Sequence, residues 1–241
     1  MPDARLQPPP LLETGNVLGL IFDLDGTLVD SYEAIAASLN RARQAFGQPP
    51  LDTELIRRAV GRGLESLVAD LLGPEYVDEG VLIFREHYAR VYREGTRPLP
   101  GAVDTLRELR QRGYRLSVAS NKPARFGEPI LREAGLLPFV EHVQGPDLSG
   151  TTKPEPEMLR NCMKAMATGV SQTVYVGDMV LDVESAARAG LPVILVCGGS
   201  SSVEDLKSTG QRVLGRLAEL QDLLSRRPAK SPCPYPETTI K

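Results

Sequence analysis

Short apolar runs recur along the chain with helical patterns between them, and this alternation limits the fold more than any other feature. VLGLIFDLDG (17–26), YRLSVAS (114–120), TVYVGD (173–178) and PVILVCGG (192–199) are rich in β-branched and aromatic residues and lack polar alternation. Such runs predict strands buried on both faces. Weaker runs at 139–144 and near Val213 extend the series. Between them, Ala102–Arg112 places Val103, Leu106 and Leu109 on one helical face; Pro156–Ala167 and Val183–Ala189 repeat the pattern, the last stopped by Gly190 and Pro192. Strands alternating with helices of this length predict an α/β fold, a Rossmann-like parallel sheet with helices on both faces.

The stretch 31–97 breaks the alternation. Tyr32, Ile35, Leu39, Ala42 and Phe46 recur at helical spacing, as do Val81, Phe84, Tyr88 and Val91. Shorter helices are predicted over 55–60 and 64–72, separated by Gly61-Arg62-Gly63. An inserted α-helical cap of about four helices is the natural reading. The expected organisation is a discontinuous core, 16–30 with 98–226, interrupted by the cap at 31–97. Segments 1–15 and 227–241, rich in Pro and poor in apolar residues, are expected to be disordered.

Composition narrows the function. The balance of 28 Lys plus Arg against 31 Asp plus Glu, with no Trp, argues against a nucleic-acid partner, which would call for a basic excess or a stacking platform. No run approaches the ~18 apolar residues of a membrane span. Cys162, Cys197 and Cys233 form no CxxC pair, and the only histidines are His87 and His142, so a disulfide scaffold or zinc site is not expected. A cytoplasmic protein is the expectation.

The chemistry lies where the strands end. Asp23 and Asp25 close the first run before Gly26 and Thr27; the second ends Ser120-Asn121-Lys122; Lys153 precedes Pro154; the run at 173–178 ends in Asp178, with Asp182 four residues on. Each alone also reads as a cap, a turn acid or a solvated side chain. Together they bring acids, a hydroxyl, amides and an ammonium to one pole, because ligands of an open parallel sheet bind outside the carboxyl ends of its strands. Oxygen ligands of this kind suit a hard cation such as Mg²⁺. The hydroxyl, amides and lysine suit phosphoryl oxygens, leaving one acid available as nucleophile and another as proton donor. No histidine accompanies these residues and no GxxxxGK[ST] pattern is present, which disfavours a Ser/His mechanism and an ATPase.

At these residues the sequence resembles the haloacid dehalogenase superfamily of aspartate-nucleophile phosphatases. DLDGTLVDS (23–31), Ser120, Lys153 and GDMVLD (177–182) match its four motifs in order. ASNKP (119–123), KPEPE (153–157) and VGRGLESLV (60–68) look most like its phosphoglycolate phosphatases. The resemblance implies that Asp23 attacks phosphorus and that Asp25 protonates the leaving group. It further implies that Lys153 and Ser120, assisted by Asn121, Gly26 and Thr27, hold the phosphoryl oxygens. Asp23, the Asp25 carbonyl and Asp178 would bind Mg²⁺, with Asp182 direct or through water. Arg62 reads either as a solvated linker residue or as a cap group that meets a substrate carboxylate. A Mg²⁺-dependent hydrolase of a small phosphorylated metabolite such as 2-phosphoglycolate is implied. The alternatives are a sugar phosphomutase, a pyrophosphatase and a non-catalytic binding protein; a dehalogenase has no need of Asp25.

Overall fold

The structure is a computed structural model describing residues 7–224. The expectation for 227–241, most of that for 1–15, and Cys233 lie outside the described residues. Within 7–15 no strand or α-helix forms, and a 3-10 turn follows at Thr14–Asn16.

In chain order the elements are β1 (Gly19–Phe22), β2 (Val29–Asp30), α1 (Tyr32–Ala45), α2 (Thr53–Ala59), α3 (Leu64–Leu71), α4 (Val77–Val91) and β3 (Arg97–Pro98). They continue as α5 (Ala102–Gln111), β4 (Arg115–Ala119), α6 (Ala124–Glu133), β5 (His142–Gln144), α7 (Pro146–Ser149) and α8 (Glu157–Ala165). The chain closes with β6 (Thr173–Gly177), α9 (Val180–Ala189), β7 (Val193–Val196), α10 (Val203–Ser208), β8 (Arg212–Leu214) and α11 (Glu219–Leu223).

Six strands form a parallel sheet in the order β5-β4-β1-β6-β7-β8. Successive residues of β1 feed opposite layers: Leu20 and Phe22 join one apolar cluster and Ile21 the other, all fully buried. This is why the run carries no polar alternation. The chain leaves β1 toward β4 and β5, then returns past it to β6, β7 and β8, so a crevice opens at the carboxyl end of β1. Phe22 is in register with both Val118 and Val176, which brings Asp23, Ser120 and Asp178 out at nearly the same level.

The first run is a strand only as far as Phe22. The Leu28 and Val29 amides donate back to the Leu24 carbonyl at 2.9 and 3.0 Å, and the Gly26 amide donates to the Val29 carbonyl at 2.8 Å. The DLDG segment is therefore a closed turn hung from the strand end. Helices α1–α4 then stand over that pole, α1 packed along α4. Their base is tied by β2 and β3, an antiparallel pair with Val29 opposite Pro98 and Asp30 opposite Arg97. Two residues per strand are too few to show a period.

Helix α6 is also unforeseen, because Gly127 and Pro129 inside it read as breakers; burial of Ile130 and Leu131 overrides them. Among the described residues, no helix is long and apolar enough to cross a membrane.

Candidate active site

The turn after β1 brings Asp23 into the crevice with its backbone amide donating to the Val176 carbonyl at 2.8 Å, and one carboxylate oxygen accepts the Leu24 amide at 2.7 Å. The other oxygen meets Lys153 Nζ at 2.7 Å. Lys153 also reaches Asp182 Oδ1 at 2.9 Å and Tyr175 Oη at 3.2 Å. Burial works against the Lys153 ammonium, but Asp182 and Asp23 outweigh it and hold its pKa above the ordinary lysine range. Burial is also the main influence on Asp23, and although Lys153 opposes it, the carboxyl is pushed up to about 6.

Asp182 has little left to offer a metal directly. Its Oδ1 accepts from Lys153 at 2.9 Å and from Tyr175 Oη at 2.8 Å; its Oδ2 accepts the amides of Asp178 and Met179 at 3.0 and 2.9 Å. Its observed work is to orient Lys153 at the head of α9. Asp178 differs. It accepts from the Thr27 hydroxyl at 2.8 Å and the Ser200 amide at 2.8 Å, both uncharged donors. Burial, then Asp23 and Asp182, raise its pKa well above the usual carboxylate range. Gly26 makes this packing feasible: its φ is +83°, and a Cβ there would strike Tyr32 Oη and the Asp178 carboxylate.

Ligand oxygens of Asp23, Asp178 and Asp182 lie within 4.8 Å of one another, all three residues buried. Lys153 balances part of that charge and reaches Asp23 and Asp182, not Asp178. An all-oxygen donor set with negative charge left over fits a hard divalent cation. Proximity alone would include Asp182 as a ligand, but its filled hydrogen bonds favour Asp23 and Asp178.

The other expected residues divide into two groups. Ser120 and Asp25 line the same cavity of about 180 Å³ as Asp23 and Lys153. Asp25 is held by the Ser31 hydroxyl and by Lys122 Nζ at 2.5 Å. Asn121 and Thr27 give their side chains to the protein. Asn121 Oδ1 accepts the Lys153 amide at 2.7 Å while its Nδ2 donates to the Gly61 carbonyl at 2.7 Å, joining β4, the lysine loop and the helical insert. Arg62 is exposed and absent from the cavity lining. Its loop is anchored through Gly61, whose φ of +135° is strained for any residue with a Cβ and whose open face is filled by the end of the Met179 side chain. The hydrophobic Met179 in the fourth motif thus packs against the insert. Arg57, not Arg62, is the arginine of this region that reaches the core, through Gly199 O at 3.0 Å and Gly198 O.

Lys122, Ser31, Tyr175 and Tyr88 are site residues that sequence reasoning did not single out. Lys122 sits two positions beyond Ser120 and before Pro123, and that was its available signal. The Ser31 signal was its place at the end of the DLDGTLVDS motif.

Comparison with known proteins agrees with this geometry. Residues 20–196 match the family model for haloacid dehalogenase-like hydrolases. A plasmid-encoded phosphoglycolate phosphatase of Cupriavidus necator is 34% identical over 183 residues, 73% of this chain and 79% of that protein. A phosphoglycolate phosphatase of Aquifex aeolicus is 30% identical over 180 residues, 75% of this chain and 84% of that one. The fold is shared with a haloacid dehalogenase-like hydrolase of Streptococcus pneumoniae, with TM-score 0.80 and 22% identity over 86% of this chain and 98% of that structure. The chain belongs to the haloacid dehalogenase-like hydrolases and is similar, among them, to curated phosphoglycolate phosphatases.

Proposed function

We propose that the protein is a Mg²⁺-dependent phosphomonoesterase that works through an aspartyl phosphate on Asp23, with 2-phosphoglycolate or a similar small phosphorylated acid as substrate. The observation that carries this reading is the shared cavity of Asp23, Asp25, Ser120 and Lys153. In the first half-reaction an Asp23 oxygen forms the bond to phosphorus while the ester oxygen leaves with a proton from Asp25. In the second, Asp25 takes a proton from water, the water oxygen bonds to phosphorus, and phosphate departs as Asp23 is restored. Lys153 and Ser120 hold phosphoryl oxygens whose charge grows in the transition state. A Mg²⁺ ion held by Asp23, the Asp25 carbonyl and Asp178 would supply the charge that lets an anionic nucleophile approach an anionic substrate. The residues 31–97 are read as a cap that excludes water from this pole.

Phosphate release from 2-phosphoglycolate, stopped by EDTA and restored by Mg²⁺, tests the reading; interconversion of a sugar phosphate without release would replace it with a mutase. The metal assignment has a second test in the melting temperature. With Asp23 raised from 3.8 to about 6, the metal-free native state holds more protons than the unfolded chain across that interval. Its stability contribution therefore falls as pH rises through the window. Mg²⁺ takes the place of those protons, so the rise in Tm on replacing EDTA by Mg²⁺ is expected to grow between about pH 4.5 and about pH 7.5. A rise independent of pH would separate the ion from these carboxylates.

A further inference from the structure

The cavity has a second end, formed where the helical insert meets the core, and its walls there are largely apolar: Ile35, Leu64, Leu67, Phe84 and Phe126. One polar group among them lacks an explanation. Tyr88, on the face of α4 turned to the cavity, is 4% exposed, and its ring is fixed by Phe84 at 5.5 Å, Tyr92 at 5.8 Å and Phe126 at 5.4 Å between centroids. Its hydroxyl makes no well-formed hydrogen bond among the described residues, although the Lys122 ammonium is close enough to act on its oxygen. A phenylalanine would fill the same volume without the desolvation cost of a buried O–H, and because an ammonium is a donor only, the hydroxyl proton is left without an acceptor among the described residues.

Beside it stands an ammonium. Lys122 Nζ lies 5.4 Å from the Tyr88 ring centroid, its side chain 7% exposed. Two of its hydrogen bonds go to Asp25 Oδ1 at 2.5 Å and Ser31 Oγ at 3.2 Å. An ammonium has three donors, and the third lies on the Tyr88 side, where a ligand placed between the two groups would meet it. The insert's own cation on the cavity wall, Arg85, is paired with Glu65 at 2.8 Å and is half-exposed at the rim.

On the phosphatase reading above, we propose that Tyr88 Oη and Lys122 Nζ form the receptor for a carboxylate on the substrate's leaving group, and so select short phosphorylated acids over neutral phosphate esters. Two donors match the two oxygens of a carboxylate. One cation shared with Asp25 suits a single negative charge better than the double charge of a second phosphoryl group. Lys122 Nζ touches Asp25, the acid assigned to the leaving oxygen, which keeps the spacer between phosphate and carboxylate short. This gives to Tyr88 and Lys122 the recognition that the sequence offered to Arg62.

Tyr88→Phe separates the two ideas, because it deletes a hydroxyl whose proton has no acceptor among the described residues. Compared with the parent, kcat/KM for 2-phosphoglycolate should fall roughly tenfold or more, mainly through KM, as for a lost hydrogen bond to a charged group. Ethyl phosphate, similar in size and without the carboxylate, should turn over as before, and the melting temperature should hold or rise. An unchanged KM for 2-phosphoglycolate, or equal losses on both esters, would overturn the carboxylate receptor and leave the phosphatase reading standing. A parent protein that releases phosphate from neither ester would overturn both.

Discussion

Asp23→Asn is expected to lower phosphate release by roughly a thousandfold or more, since an amide cannot supply the attacking oxygen anion. It should do so without loss of stability. The Asn oxygen can still accept the Leu24 amide that Asp23 accepts at 2.7 Å. Its NH₂ then faces Lys153 in place of the oxygen at 2.7 Å, and the ammonium turns from that donor to Asp182, which it already meets at 2.9 Å. Burial has already pushed Asp23 up to about 6, so the fold disfavours its charge, and removing that charge relieves the neighbouring Asp178 and Asp182. Melting in EDTA should therefore match or exceed the parent. Retention of more than about 5% activity, with deamidation excluded by mass, would remove Asp23 from the nucleophilic role.

This contrast between chemistry and stability marks what the sequence could and could not convey. The six sheet strands were legible, including the weak ones at 142–144 and 212–214, because burial on both faces leaves a continuous apolar signature. So were the residues at their ends, because parallel topology forces strand termini to one pole. The division of labour among those residues was not legible. Asp178 and Asp182 are both acids four positions apart, yet one accepts only neutral donors and the other is occupied by Lys153, Tyr175 and two backbone amides. Nothing in spacing separates them, since the difference arises from Tyr175 on β6 pointing at one of them. Tyr88 shows the same limit. At helical spacing with Val81, Phe84 and Val91 it reads as core, and only the placement of α4 over the sheet turns that face toward the cavity. Arg62 marks a related limit: flanking glycines say that a loop turns sharply without saying which way its side chain goes, and in this structure it is exposed and outside the cavity lining.

The second large effect concerns Lys153, and it tests whether charge balance rather than catalysis alone explains this residue. Lys153→Met leaves Asp182, fully buried, without its cation, and leaves Asp23 with no ammonium beside it. Breaking a buried pair by removing one partner costs about 3–5 kcal/mol. In a chain of this length that corresponds to a Tm lower by roughly ten degrees when measured in EDTA. Activity should fall by roughly a hundredfold or more, as the phosphoryl oxygens lose their counter-charge. Adding Asp182→Asn to Lys153→Met removes the orphaned charge, while the Asn oxygen can still accept the amides of Asp178 and Met179. The double variant should recover most of the lost melting temperature and none of the lost activity. Recovery of both would mean that Lys153 serves only to hold the acids in place, and a single variant that melts with the parent would mean that the buried pairs contribute little to the fold.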